Sequence, residues 1–137
     1  MLELKNIIST NKVIEVEHPI LEGFKVKVAY VSKEVVKKLI TKSTSIQYDQ
    51  KARQPIEKVD DELFLKLYTA ETIKGWSGLK INYLPDLIPV DMEKVENNDE
   101  ELVYSEENAL TLMKNSSDFD AWISSVISDV KNFNKSN

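Results

Sequence analysis

Residues 12–31 read KVIEVEHPILEGFKVKVAYV, and this stretch decides the fold. In its first half Ile14, Val16 and His18 share one face of an alternating run. In its second half Phe24, Val26, Val28 and Tyr30 do the same. Period-two patterning of this kind marks half-buried strands. Pro19 cannot continue a ladder and Gly23 tolerates a positive φ, so residues 19–23 read as a hairpin loop. Glu15 and Glu17 face outward on one strand, Lys25 and Lys27 on the other. Opposed charges across an antiparallel pair add about 0.2–1 kcal/mol each. A lone hairpin is marginal in water, so its apolar face needs a layer to lie on. Upstream, LELKNII (2–8) fits either a short strand or a helical turn.

Downstream the periodicity turns helical. Ser32 is a good N-cap, Glu34 stands in the first turn near the positive end of the helix dipole, and Val35, Val36, Leu39 and Ile40 form a stripe. Residues 43–57, STSIQYDQKARQPIE, are polar, contain Pro55 and read as a loop. Asp60 or Asp61 caps a second helix reaching about Lys74, with Leu63, Phe64, Leu67, Tyr68 and Ile73 at a period near 3.6. Gly75 and Gly78 then break it. Residues 81–104 are irregular and acidic and are expected to be mobile. Ser105 caps a third helix. Ser117 caps the last one, with Asp120 three residues on in an acidic variant of the capping box. Phe119, Trp122, Ile123, Val126, Ile127, Val130 and Phe133 make the cleanest helical stripe in the chain. Residues 134–137 read as a frayed tail. The expectation is an α+β fold in a single domain, 1–137: an N-terminal β-hairpin packed on a mainly helical bundle of about four helices.

Composition narrows the function. At 137 residues, 42% hydrophobic, the chain supports one domain with a real core. With no Cys there is neither a disulfide framework nor a thiolate metal site. One histidine, His18, excludes His-rich metal sites and argues against a Ser-His-Asp triad. No secretory signal or membrane-length apolar run is visible, so a soluble intracellular protein is expected. Charge is unevenly placed. Residues 91–107 hold eight acids against one Lys, and residues 24–58 hold nine Lys or Arg against three acids, within a net charge of −5. Such fields attract each other within a molecule or between copies.

The search for chemistry returns little. His18 lies on the hairpin's apolar face, which suits a structural histidine better than a base. The carboxylates of 96–101, ENNDEE, lack the central Gly and the ligand spacing of a calcium loop. No Gly-rich phosphate loop is present. Neither catalytic residues nor cofactor or metal ligands are expected. The basic face of 24–58 suits a phosphate groove, but Lys outnumbers Arg 17 to 1, and base readout leans on bidentate Arg. What remains is interaction through apolar surface. Trp76, in a Gly-flanked loop, either plugs the core or anchors a partner. The last stripe reads as core at its start and interface toward its end.

The segments FKVKVAYVSKE (24–34), DDELFLKLYTAETIKGWSGLK (60–80), YSEENALTLMKN (104–115) and SDFDAWISSVISDVKNF (117–133) together resemble the tail assembly chaperones of long-tailed bacteriophages. The Trp76-x-Gly78-Leu79 turn and the Asp118-Phe-Asp-x-Trp122 pattern carry the resemblance most specifically. It implies a non-enzymatic protein that binds the hydrophobic tape measure protein, keeps it soluble and helps recruit major tail tube subunits. It further implies action in the host cytoplasm and absence from the mature virion. On that basis Trp76, Trp122, Val126, Ile127, Val130 and Phe133 are the expected partner-binding residues. The same surface serves equally for self-association. Neither a membrane nor nucleic acid is an expected partner. The alternative from another class is a small phage nucleic-acid-binding or DNA-mimicking regulator.

Overall fold

The structure is a computed structural model that describes residues 1–9 and 12–134. Strands β1 (Val13–Glu17) and β2 (Lys25–Ala29) form the expected antiparallel hairpin. Its register sets Glu15 opposite Lys27 and Glu17 opposite Lys25. A further strand, β5 (Ile73–Ser77), pairs antiparallel with the other edge of β2, giving the order β1-β2-β5. β2 is thus central, and Phe24 just before it, Val26 and Val28 are fully buried.

Among the described residues there are four α-helices, α1 (Lys33–Ser43), α2 (Asp61–Thr72), α3 (Glu106–Asn115) and α4 (Ser117–Ser128), and the sheet face that carries Glu15, Glu17, Lys25 and Lys27 stays exposed. The core joins Val26 and Val28 of β2 and Ile73 of β5 to Leu112 of α3 and to Phe119 and Ile123 of α4. Each side chain of this size contributes about 1.5–3 kcal/mol on full burial. The architecture is α+β, as its sequence patterning implies. Ser32, Asp60 and Ser105 cap α1, α2 and α3 through hydrogen bonds from Val35, Leu63 and Asn108 backbone N–H groups.

Three local readings are corrected. The α2 helix stops at Thr72, and the Gly75-Trp76 stretch is strand. Pairing with β2 outweighs the glycine signal, and a register shift opposite Lys27/Val28 absorbs the mismatch. Residues 43–57 are not a loop. They begin with the buried end of α1 at Ser43 and continue into a two-stranded ribbon, β3 (Thr44–Asp49) and β4 (Gln54–Val59). Pro55 fits because both strands are edges, where a missing N–H costs no ladder bond. Arg53 turns the tip with φ 54. Finally, α4 is capped by Ser116 rather than Ser117. The Ser116 hydroxyl accepts from Phe119 N–H while its own N–H donates to Leu112 O. One buried residue therefore ends α3 and starts α4, and Asp120 forms no capping box.

Residues 81–104 are irregular as expected, built of short 3-10 turns at Ile81–Asp86 and Met92–Lys94. They are also tied to the body. Ile81 N–H donates to Glu100 O, Leu102 N–H to Leu79 O, and Leu84 and Leu87 are buried. Of the expected frayed tail, residues 135–137 lie outside the described residues. Asn134 closes a turn onto Lys131 O and accepts from Lys12 Nζ at 3.1 Å.

Candidate interaction surfaces

The aromatic residues gather at the loop end of the hairpin. Phe24 lies 6.3 Å from both Phe119 and Trp76 and 6.1 Å from Trp122, ring centre to ring centre. His18 sits against Trp122 at 4.7 Å in an edge-on arrangement. Its Nδ1 accepts the backbone N–H groups of Ile20 and Leu21 at 3.1 and 3.0 Å. The imidazole therefore caps the hairpin loop as a neutral ring, with its proton on Nε2. Burial lowers its pKa from the ordinary 6.5, while the nearby Asp118 carboxylate pulls the other way. A histidine with its ring nitrogen committed to two backbone donors is a structural element. Beside it, a cleft of about 290 Å³ runs between Ile20, Asp86, Asp118 and Trp122. That volume sits at the lower bound of ligand pockets, roughly 300–1,000 Å³, and suits one side chain.

Trp76 resolves in favour of the plug. Its indole N–H donates to Leu102 O at 2.8 Å, and Tyr104 packs edge-on at 5.2 Å. The Tyr104 hydroxyl donates to Ile73 O, and burial, followed by the Glu106 charge, raises its pKa. Together these bonds fasten the acidic segment to β5. The expected partner-binding stripe divides. Val126, Ile127 and Phe133 are in the core, Trp122 is half-buried, and Val130 is exposed. The helical stripe ends because α4 stops at Ser128. Asp129 caps a 3-10 turn, Val130–Phe133, that folds Phe133 back onto Tyr30 at 5.2 Å. The apolar edge of the last helix is therefore mostly interior.

Exposed apolar surface lies elsewhere. The Val130–Phe133 turn and Tyr30 form one wall of an open groove of about 320 Å³, and Leu4, Ile7 and Ile8 of the N-terminal segment form the other. Leu4, Ile7 and Ile8 are 74%, 58% and 66% exposed. The run LELKNII fits either a strand or a turn by its spacing, and in the structure Leu4–Asn6 is a 3-10 turn. A second exposed apolar face is carried by the β3–β4 ribbon. Among the described residues no group of three or more His, Cys, Asp or Glu side chains lies close enough to hold a metal ion. Among them, too, no helix is long and apolar enough to cross a membrane.

The geometry describes a small α+β protein whose surface offers apolar grooves and separated charge. Residues 30–137, everything from α1 onward, match the YdaY prophage protein family, and the chain belongs to that family. It is thus a phage-derived protein. No curated protein and no solved structure matches the chain.

Proposed function

We propose that this prophage protein is a non-enzymatic tail assembly chaperone. On this reading it binds the tape measure protein in the host cytoplasm, keeps it soluble, helps recruit tail tube subunits and leaves before the virion is complete. The observation that carries the reading is the open apolar groove between Leu4, Ile7, Ile8 and Val130. A long amphipathic client needs an apolar seat, and this one is preformed and unfilled by the chain's own core. Binding the client draws down its free, aggregation-prone population by mass action. The sequence resemblance favours this client class, and membership of a prophage family fits a phage-encoded client in general.

The test is co-expression with the tape measure protein of the same prophage, reading its soluble fraction and its co-purification. A soluble fraction unchanged by the chaperone refutes the reading. Ile7→Asp with Val130→Asp, both at exposed positions, weakens capture in a folded protein. Phe133→Asp is no substitute, because that side chain is 4% exposed and its loss unfolds the region.

A second reading, a nucleic-acid-binding regulator, is favoured by one feature. The β3–β4 ribbon carries Lys51 and Arg53 in its tip, and a two-stranded ribbon fits the major groove. Steeply salt-dependent binding to duplex DNA supports it.

A further inference from the structure

Among the described residues the β3–β4 ribbon is a sheet that the rest of the chain leaves bare. Its strands pair only with each other. Every residue of β4 is exposed, and β3 is exposed except at its two ends. The register places Ile46, Tyr48 and Val59 on one face, where they are 75%, 66% and 42% exposed. A two-stranded sheet is marginal in water without a covering layer. An apolar face of this kind marks a site of association.

Charge identifies what covers it. The ribbon, residues 44–59, holds Lys51 and Arg53 at its tip and Lys58 on its other face against Asp49 and Glu57, and α1, which leads into it, adds Lys33, Lys37, Lys38 and Lys42 against Glu34. Residues 91–101 hold six acids against Lys94 alone. Beside that acidic run stands Val103, 78% exposed. Neither field is neutralised within the chain. The ion pairs among the described residues are Lys5–Glu3 and Lys114–Glu62, which belong to neither surface. The acidic run is also a fixed receptor, because the Lys80–Glu101 bridge and the Ile81 N–H to Glu100 O bond hold its end in place.

We propose that the ribbon docks on a second copy of this chain. Its Ile46–Tyr48–Val59 face lies along the Val103 side of the partner's acidic segment, and Lys51 and Arg53 stand against Asp99, Glu100 and Glu101. This goes beyond the chaperone reading and does not depend on it. The contact joins two different surfaces, so it is heterologous. Each added copy presents a fresh ribbon and a fresh acidic segment, and the assembly grows until a ring closes.

The experiment is sedimentation velocity on the full chain across concentration and salt. The screening length falls from about 30 Å at 0.01 M to about 3 Å at 1 M, so association is expected at low salt and is weakened at high salt. Two variants are compared, Lys51→Glu with Arg53→Glu, and Glu100→Lys with Glu101→Lys, each checked for native circular dichroism. Each alone is expected to associate about tenfold or more weakly, because like charges now meet across the contact. Mixing the two in equal amounts is expected to restore association, since every contact is again between opposite charges. A wild-type chain that stays monomeric at low salt overturns the proposal. So does association unchanged by either reversal, or a mixture that remains monomeric. If the ribbon reversal instead abolishes binding to a duplex DNA probe while self-association persists, the ribbon is a nucleic-acid surface and the proposal fails.

Discussion

Replacing Gly78 by Ala tests the joint between the hairpin loop and the end of β5. Gly78 has φ +74, and a Cβ built there falls inside contact distance of the Gly23 carbonyl oxygen and 2.8 Å from the Gly23 carbonyl carbon. Both obstacles are backbone, so no side chain can swing aside. The left-handed conformation costs an L-residue about 1–2 kcal/mol. Forcing two backbones apart in a packed region adds about 1–3 kcal/mol. The sum, roughly 2–5 kcal/mol, is a large part of the 5–15 kcal/mol typical of a whole domain. Gly23 supplies the control. Its φ is +83, yet nothing lies within 4 Å of an added Cβ. Gly23→Ala therefore carries only the conformational cost, about 1–2 kcal/mol. Urea unfolding followed by far-ultraviolet circular dichroism measures both. Equal losses for the two variants would refute the close approach, and with it the claim that this joint locks the hairpin loop onto β5.

Two further outcomes follow from single residues. Ser116→Ala is expected to cost about 1 kcal/mol in urea unfolding, the usual value of an N-cap, whereas Ser117→Ala stays within about 0.5 kcal/mol; the reverse order would return the cap to Ser117. His18 has its folded-state pKa lowered by burial, so the unfolded chain binds the proton more tightly. Its contribution to stability is complete above the unfolded value of about 6.5 and is lost as pH falls below it toward the folded pKa. A proton-coupled nuclear magnetic resonance titration giving a pKa above 6.5 contradicts this. His18→Asn keeps an acceptor for the Ile20 and Leu21 N–H groups and is expected to flatten the pH dependence.

Much of the fold was legible in the sequence because the hairpin's two faces differ so sharply. Val26 and Val28 alternate with Lys25 and Lys27, so period, register and burial coincide. The ribbon had no such contrast. Ile46 and Tyr48 on one face are interrupted by Glu57, and Ile56 stands on the other face with Lys58. Strand β5 was hidden for a different reason. Gly75 and Gly78 read as helix breakers, and only the open edge of β2, which is a tertiary fact, turns Ile73–Ser77 into a strand. Along the last stripe, period alone cannot show that α4 ends at Ser128. The Asp129-capped turn then takes Phe133 inward and leaves Val130 outside.

The exposed groove and the bare ribbon bear on each other through energy. Leu4, Ile7, Ile8 and Val130 are 74%, 58%, 66% and 49% exposed, so covering them on a client would give that share of about 1.5–3 kcal/mol each, roughly 4–7 kcal/mol in all. Association costs about 4–15 kcal/mol in lost freedom. One copy on one client segment is therefore a weak complex, which suits release but not retention of a long chain. Linking copies head to tail through the ribbon would make the second and later contacts intramolecular, and avidity can then exceed single-site affinity by about 10²–10⁴-fold without a new kind of contact. The same linkage would be salt-sensitive and would join side chains that are exposed in the single chain, so it would come apart without unfolding any subunit. A chaperone assembled in this way would hold its client strongly as an array and weakly as a monomer. Dismantling the ribbon contact would then release the client while every groove stays intact.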